Sequence, residues 1–227
     1  MTITLRRRVV AELLGTAFLV MAVVGSGIAA SRLSPDDVGL QLLENSLVTG
    51  AALVALILAL QPVSASFNPV VTVVERLLGM IDSRTTTALV AAQLAGGGVG
   101  VVLANLMFDL DAVTLSTRAR AGGDLWLAEV VATFGLVLVI FGCLRTGRAD
   151  HVALVVGGYI TAAYWFTSST SFANPAVTVA RTLSDTFAGI QPANAPTFIA
   201  CQVVGGALAL AAVRFLFPIT PALESAR

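Results

Sequence analysis

Six apolar runs alternate with short polar segments along this chain, over residues 9–30, 40–60, 87–107, 125–144, 151–167 and 197–217. A helix needs about 20 predominantly apolar residues to cross a bilayer. Five of the runs reach that length and the fifth approaches it, so six transmembrane helices are predicted. The first run follows Arg6-Arg7-Arg8 and superficially suggests a secretory leader. Its apolar stretch is too long for a leader's core and five more follow, so it counts as the first span.

Two further apolar runs, 70–78 and 176–183, supply only about two helical turns each. Each begins immediately after an Asn-Pro pair, in Ser66-Phe67-Asn68-Pro69-Val70-Val71-Thr72-Val73 and Ser171-Phe172-Ala173-Asn174-Pro175-Ala176-Val177-Thr178-Val179. Asn is a favoured N-cap, and Pro at the first helical position loses no hydrogen bond. These stretches are predicted to be half-helices that enter the membrane and turn back.

Other residues pair as the two motifs do. Ala11-Glu12 corresponds to Ala128-Glu129, and Gln93 with Gly96-Gly97 corresponds to Gln202 with Gly205-Gly206. The offsets lie between 106 and 117 residues, which marks an internal duplication with loop-sized differences. The repeats span 9–107 and 125–217, joined by a polar connector at 109–124. Three spans per repeat is an odd number, so the second repeat must be inverted relative to the first. The half-helices then enter from opposite faces and their Asn-Pro ends meet near the midplane. The fold class is an all-α membrane protein of six transmembrane helices plus two re-entrant half-helices in two inverted repeats.

Composition agrees with a bilayer setting, at 57% hydrophobic residues, 11% charged and mean hydropathy +0.91. Thirteen basic residues, all Arg, balance thirteen acidic ones, which argues against a nucleic-acid partner. Cys143 and Cys201 lie in apolar runs and His151 is the only histidine, so neither a disulfide framework nor a metal site is expected. No nucleophile–base pair supports an enzyme, and no cofactor is implied. Gly96-Gly97-Gly98 lacks the Lys of a phosphate loop, so close helix packing is the better account. Trp126 and Trp165 fit membrane-interface or bundle packing. With the N-terminus cytoplasmic, nine arginines, including Arg227, fall inside and four outside, which places both termini on the cytoplasmic side. The expected location is the cell's inner membrane.

Re-entrant backbone persists in a bilayer only where protein encloses it or it lines water. The carbonyls of 64–67 and 169–173 are therefore expected to form a ladder of acceptors along a pore, with Asn68 and Asn174 offering amide donors. Two helix N-termini meeting at mid-membrane add partial positive charge that disfavours cations. Glu12 and Glu129 admit two readings. Intramembrane carboxylates serve as proton relays in many proteins, and symmetric ones also serve as acceptors for unpaired loop N–H groups.

Two Asn-Pro-Ala-type motifs in inverted repeats that each open with Ala-Glu resemble the aquaporin and aquaglyceroporin family over nearly the whole chain. The resemblance implies a single channel domain, 1–227, a right-handed bundle with a pore in each subunit, and a homotetramer in the lipid bilayer. It assigns Asn68, Pro69, Val70, Asn174, Pro175 and Ala176 to the pore motif and Glu12 and Glu129 to loop support. Family spacing places Thr49, Ala162, Ser171 and Val177 at the outer constriction. There are departures: Val70 stands for the usual Ala, 64–67 lacks the family's histidine, and Val177 stands where Arg is usual. Arg181 lies one turn further on. With four small or medium uncharged residues, a wide mouth is expected. The run from Tyr164 to Val177 resembles a bacterial subgroup associated with arsenic resistance. The implied function is passive passage of small neutral solutes of the arsenite or glycerol type with some water. A water-selective pore and a secondary transporter with broken helices are the alternatives.

Overall fold

The computed structural model describes residues 3–218. Arg227, counted above on the cytoplasmic side, lies outside the described residues. Eight α-helices follow in order: α1 (Leu5–Leu33), α2 (Val38–Leu60), α3 (Pro69–Leu77), α4 (Ser83–Met107), α5 (Gly123–Arg145), α6 (Val152–Phe166), α7 (Pro175–Arg181) and α8 (Ala195–Leu216). The described residues contain no strand. Helices α3 and α7 are the half-helices, of 9 and 7 residues.

Five helices, α1, α2, α4, α5 and α8, are long and apolar enough to cross a membrane. Helix α6 has only 15 residues, about 22 Å of helix against about 30 Å of hydrocarbon. A 3-10 turn at Ala149–His151 extends it at one end. At the other, Thr167 turns its hydroxyl back onto the Ala163 carbonyl at 2.6 Å and takes up extended backbone, which ends the helix. Helix α1 starts earlier than the apolar pattern suggests. Thr4 caps it by accepting from the Arg7 N–H, so the three arginines lie in its first turn.

The helices pack in matched pairs: α1 on α4 and α5 on α8, with α2 against α6 between the halves. Glycine permits the closest approaches. A Cβ on Gly96 or Gly100 of α4 would stand 2.3 Å from the Leu13 or Ala17 carbonyl oxygen of α1, and one on Gly205 of α8 would stand 2.4 Å from the Val130 oxygen of α5. Such distances are forbidden, so the backbones touch only because these side chains are absent.

Burial is arranged for a lipid solvent. Phe18, Leu127 and Phe215 are exposed, whereas Glu12, Gln93, Glu129 and Gln202 are fully enclosed. Each enclosed polar group must find a partner inside the bundle. The connector between the repeats does more than join them. Thr114 and Ser116 donate backbone N–H to the carbonyls of Leu183 and Thr182 at 3.1 and 2.9 Å, which lays the connector across the end of α7.

Candidate functional site

Both half-helices begin identically. Asn68 and Asn174 adopt extended backbone, and each side-chain oxygen accepts from the N–H two residues on, Val70 or Ala176, at 3.0 Å. Their amide nitrogens then cross over. Asn68 Nδ2 donates to the Ala173 carbonyl at 2.7 Å, and Asn174 Nδ2 donates to the Phe67 carbonyl at 2.8 Å. Each asparagine thus clasps the residue that precedes the other one. A primary amide carries two N–H groups, so each keeps one for the cavity that both side chains line.

The loops before them are strained. Phe67, Thr170, Ser171 and Ala173 hold φ between 48° and 61°, in a region costly for residues with a Cβ. Two buried carboxylates hold this geometry. Glu12 accepts from Ser64 Oγ and Ser66 N–H on one oxygen, at 2.6 and 2.9 Å, and from Phe67 N–H on the other, at 2.7 Å. Glu129 accepts in the same way from Ser169 Oγ (2.6 Å), Phe172 N–H (2.9 Å) and Ala173 N–H (3.0 Å). The paired glutamines complete each support. Gln93 Nε2 bridges Glu12 to Thr72 Oγ1, at 2.8 Å to each, and Gln202 Nε2 bridges Glu129 to Thr178 Oγ1, at 2.6 and 2.9 Å. Neither carboxylate lines the cavity. Among the described residues, each carboxylate accepts only from donors of its own loop and its paired glutamine.

A cavity of about 260 Å³ runs past the asparagine pair. On the same measure one water needs about 10–15 Å³. One end is bounded by Arg8, Gln61, Glu75 and Met80, and the other by Thr49, Tyr164, Phe172 and Arg181. One wall is apolar, with Leu53, Ile57, Leu136, Ile140, Val156 and Ile160. The opposite wall is re-entrant backbone. The carbonyl ladder is shorter than expected, because the oxygens of Phe67, Ala173 and Ser169 accept from Asn174, Asn68 and Arg120. The carbonyls of 64–66 and 170–172 remain without a protein donor among the described residues.

Pro69 and Pro175 occupy the first helical positions, and Val70 and Ala176 are buried beneath the clasp. The larger Val70 side chain points at Gly206, where a Cβ would lie 2.4 Å from Val70 Cγ1, so α8 makes room for it. At the end bounded by Arg181, Thr49, Ser171 and Val177 line the cavity. Thr49 Oγ1 lies 3.2 Å from the Tyr164 hydroxyl, and the buried Ser171 hydroxyl has no partner among the described residues.

Ala162 does not belong to this group. The positions of α6 that face the cavity are Val152, Val156, Ile160 and Tyr164, spaced by four. Ala162 follows Ile160 by two residues, about 200° around the helix, and is exposed on the outer surface. Tyr164 is the residue that α6 contributes at the mouth. The expectation of an uncharged mouth is also corrected. Arg181 is 2% exposed and lines the cavity, with its guanidinium carbon 3.4 Å from the Phe172 ring centroid. The signal was in the spacing, since Arg181 falls four residues after Val177 on the same face of α7.

Arg120, from the connector, stands behind it, 4.9 Å from the same ring. It donates to the carbonyls of Gly189 at 2.8 Å and of Ser169 and Phe187 at 3.4 Å. Burial, and then the neighbouring charges of Arg181 and Arg118, push its pKa down to about 9, so it stays charged at neutral pH.

Comparison with known proteins agrees with this architecture. The sequence pattern of the major intrinsic protein family matches residues 1–163. The chain is 50% identical over 222 residues to an aquaglyceroporin, AqpS, of Rhizobium meliloti, covering 97% of this chain and 94% of that one. It is 30% identical over 246 residues to the aquaporin AqpM of Methanothermobacter thermautotrophicus, covering 94% of this chain and 98% of the relative. The X-ray structure of the aquaglyceroporin from Plasmodium falciparum superposes with a TM-score of 0.70 at 18% identity, over 99% of this chain and 100% of that one. Its bearing is on the fold alone. By family pattern, relatives and fold together, this chain belongs to the major intrinsic protein family, that of the aquaporins and aquaglyceroporins.

Proposed function

We propose that the chain is a passive membrane channel for small uncharged solutes, of which glycerol is the reference and arsenous acid a second candidate of similar chemistry. The observation that carries this reading is the two-sided cavity. A polyhydroxy solute exchanges its hydration for free carbonyls and asparagine N–H groups along one wall, and its carbon skeleton slides along Leu53, Ile57, Leu136 and Ile160 on the other. The relation to an aquaglyceroporin at 50% identity supports the same class of solute. Pore-motif roles fall to Asn68, Pro69, Val70, Asn174, Pro175 and Ala176, and loop support to Glu12 and Glu129. Thr49, Ser171 and Val177 belong to the constriction with Tyr164.

In this reading the chain sits in the inner membrane with both termini cytoplasmic, following the bias of its arginines. The exposed apolar faces suit lipid and sister subunits of a homotetramer. A water-selective pore is the second reading, favoured by the presence of Tyr164 and Arg181 at the mouth. The deciding experiment measures water, glycerol, urea and arsenite permeability in the same vesicles. Glycerol flux far above that of empty vesicles supports the proposal. Water flux without glycerol flux supports the second reading.

A further inference from the structure

Val177 leaves the outer mouth without a cation at the position where the family usually has one, yet the mouth of this pore is not neutral. Arg181 ends α7 one helical turn beyond Val177, and its side chain is enclosed within the bundle while lining the cavity. Its Nε donates to the Ala188 carbonyl. No protein acceptor among the described residues takes Nη1 or Nη2, and neither Arg181 nor Arg120 forms an ion pair with a described carboxylate. A guanidinium enclosed in the bundle yet lining the cavity, with the four N–H groups of its two terminal nitrogens unused, has them available to whatever passes.

The position of this guanidinium is fixed from two sides. The Phe172 ring packs against it at 3.4 Å from the centroid, a cation–π arrangement. The segment 187–189 supplies its one protein acceptor among the described residues, and Arg120 holds that segment through the Gly189 and Phe187 carbonyls. The Ile190 N–H closes the loop onto the Arg181 carbonyl at 3.3 Å. Tyr164, Thr49 and Ser171 line the same cavity, with the Thr49 and Tyr164 hydroxyls 3.2 Å apart.

Resting on the channel reading above, we propose that Arg181 is the charge-bearing, specificity-determining residue of this mouth of the pore. From one turn beyond Val177 it supplies a guanidinium that repels cations and donates N–H groups to the oxygens of an uncharged solute. Arg120 is a positioning residue that fixes the loop on which Arg181 rests.

The test uses the full chain in liposomes, with glycerol flux and potassium leak measured on the same vesicles. Wild type passes glycerol and is tight to potassium. Arg181→Gln raises potassium leak by roughly tenfold or more, because one full charge has left the mouth, and shifts the glycerol-to-water permeability ratio because donors to the solute are lost. The double variant Arg181→Gln with Val177→Arg moves the charge back by one turn and restores tightness, a rescue that a purely structural arginine does not predict. Arg181→Lys keeps the charge but loses the planar fork, so it stays tight to potassium while the glycerol-to-water ratio shifts by about threefold or more. Where Arg181→Gln fails to insert, Arg181→Lys carries the test, and an unchanged ratio overturns the proposal. An inserted Arg181→Gln that leaks no more potassium than wild type also overturns it. Absence of glycerol flux through wild type contradicts the small-solute reading on which the proposal rests.

Discussion

Replacing Glu12 by Gln keeps the size and shape of the side chain and changes one oxygen into an NH2, yet it is predicted to cost about 1–3 kcal/mol. All four hydrogen bonds to Glu12 arrive as donors: Ser64 Oγ and Ser66 N–H on Oε1, Phe67 N–H and Gln93 Nε2 on Oε2. If the new NH2 takes the Oε2 place, Gln93 can turn its amide, because its own Oε1 is unpartnered. The Phe67 N–H cannot turn. If the NH2 takes the Oε1 place, the Ser64 hydroxyl can rotate to accept, and the Ser66 N–H is left facing a donor. Either orientation orphans one backbone N–H in the re-entrant loop, and an unmet buried donor carries that penalty. The loop is also where Phe67 holds φ at 48°, so losing its anchor lets the strained backbone relax and turn its carbonyls away from the cavity. Glu12→Ala orphans both N–H groups and should cost about twice as much. Thermal unfolding of detergent-solubilised protein, read by loss of the monodisperse gel-filtration peak, should rank wild type above Glu12→Gln above Glu12→Ala. Glycerol flux in vesicles should fall in the same order. A Glu12→Gln protein equal to wild type in both assays would refute the reasoning.

Asn68→Ala and Asn174→Ala each remove a cap worth about 1 kcal/mol together with the cross-clasp, so flux through inserted protein should collapse in either variant, as read by stopped-flow light scattering. Gly96→Ala places a methyl 2.3 Å from the Leu13 carbonyl oxygen, which neither backbone can evade without separating α1 from α4; a loss of about 1–3 kcal/mol should appear as a lowered unfolding midpoint. Val177→Arg brings a second guanidinium to the lining beside Arg181, and should lower glycerol permeability more than water permeability at matched channel content. An unchanged permeability ratio in that inserted variant would remove Val177 from the constriction.

The half-helices were legible because Asn-Pro acts locally: capping and a fixed φ need no tertiary partner, and both starts fall where the sequence puts them. Repeat symmetry pointed to Glu12, Glu129, Gln93 and Gln202 as equivalents. It did not indicate that each glutamine bridges its glutamate to a threonine, because that contact joins helices far apart in the chain. Side-chain direction was the weaker part. Motif spacing placed Ala162 at the mouth, but the rotation of α6 is set by packing against α2 and turns that position outward in favour of Tyr164. Arg181 was on the page as one turn past Val177. That it bends back into the cavity depends on Phe172 and on carbonyls at 187–189, which the connector holds in place through Arg120.

The central claim is that small uncharged solutes pass through this chain by way of the cavity beside the Asn68–Asn174 clasp. The measurement that tests it most directly is glycerol flux into proteoliposomes of wild type and of the Asn68→Ala/Asn174→Ala double variant, at equal incorporated protein. Wild-type flux that rises linearly with the gradient without saturating, and is indifferent to pH and sodium, together with a double variant no better than empty vesicles, is the predicted result. Saturable or ion-coupled flux, or full flux in the double variant, would contradict it.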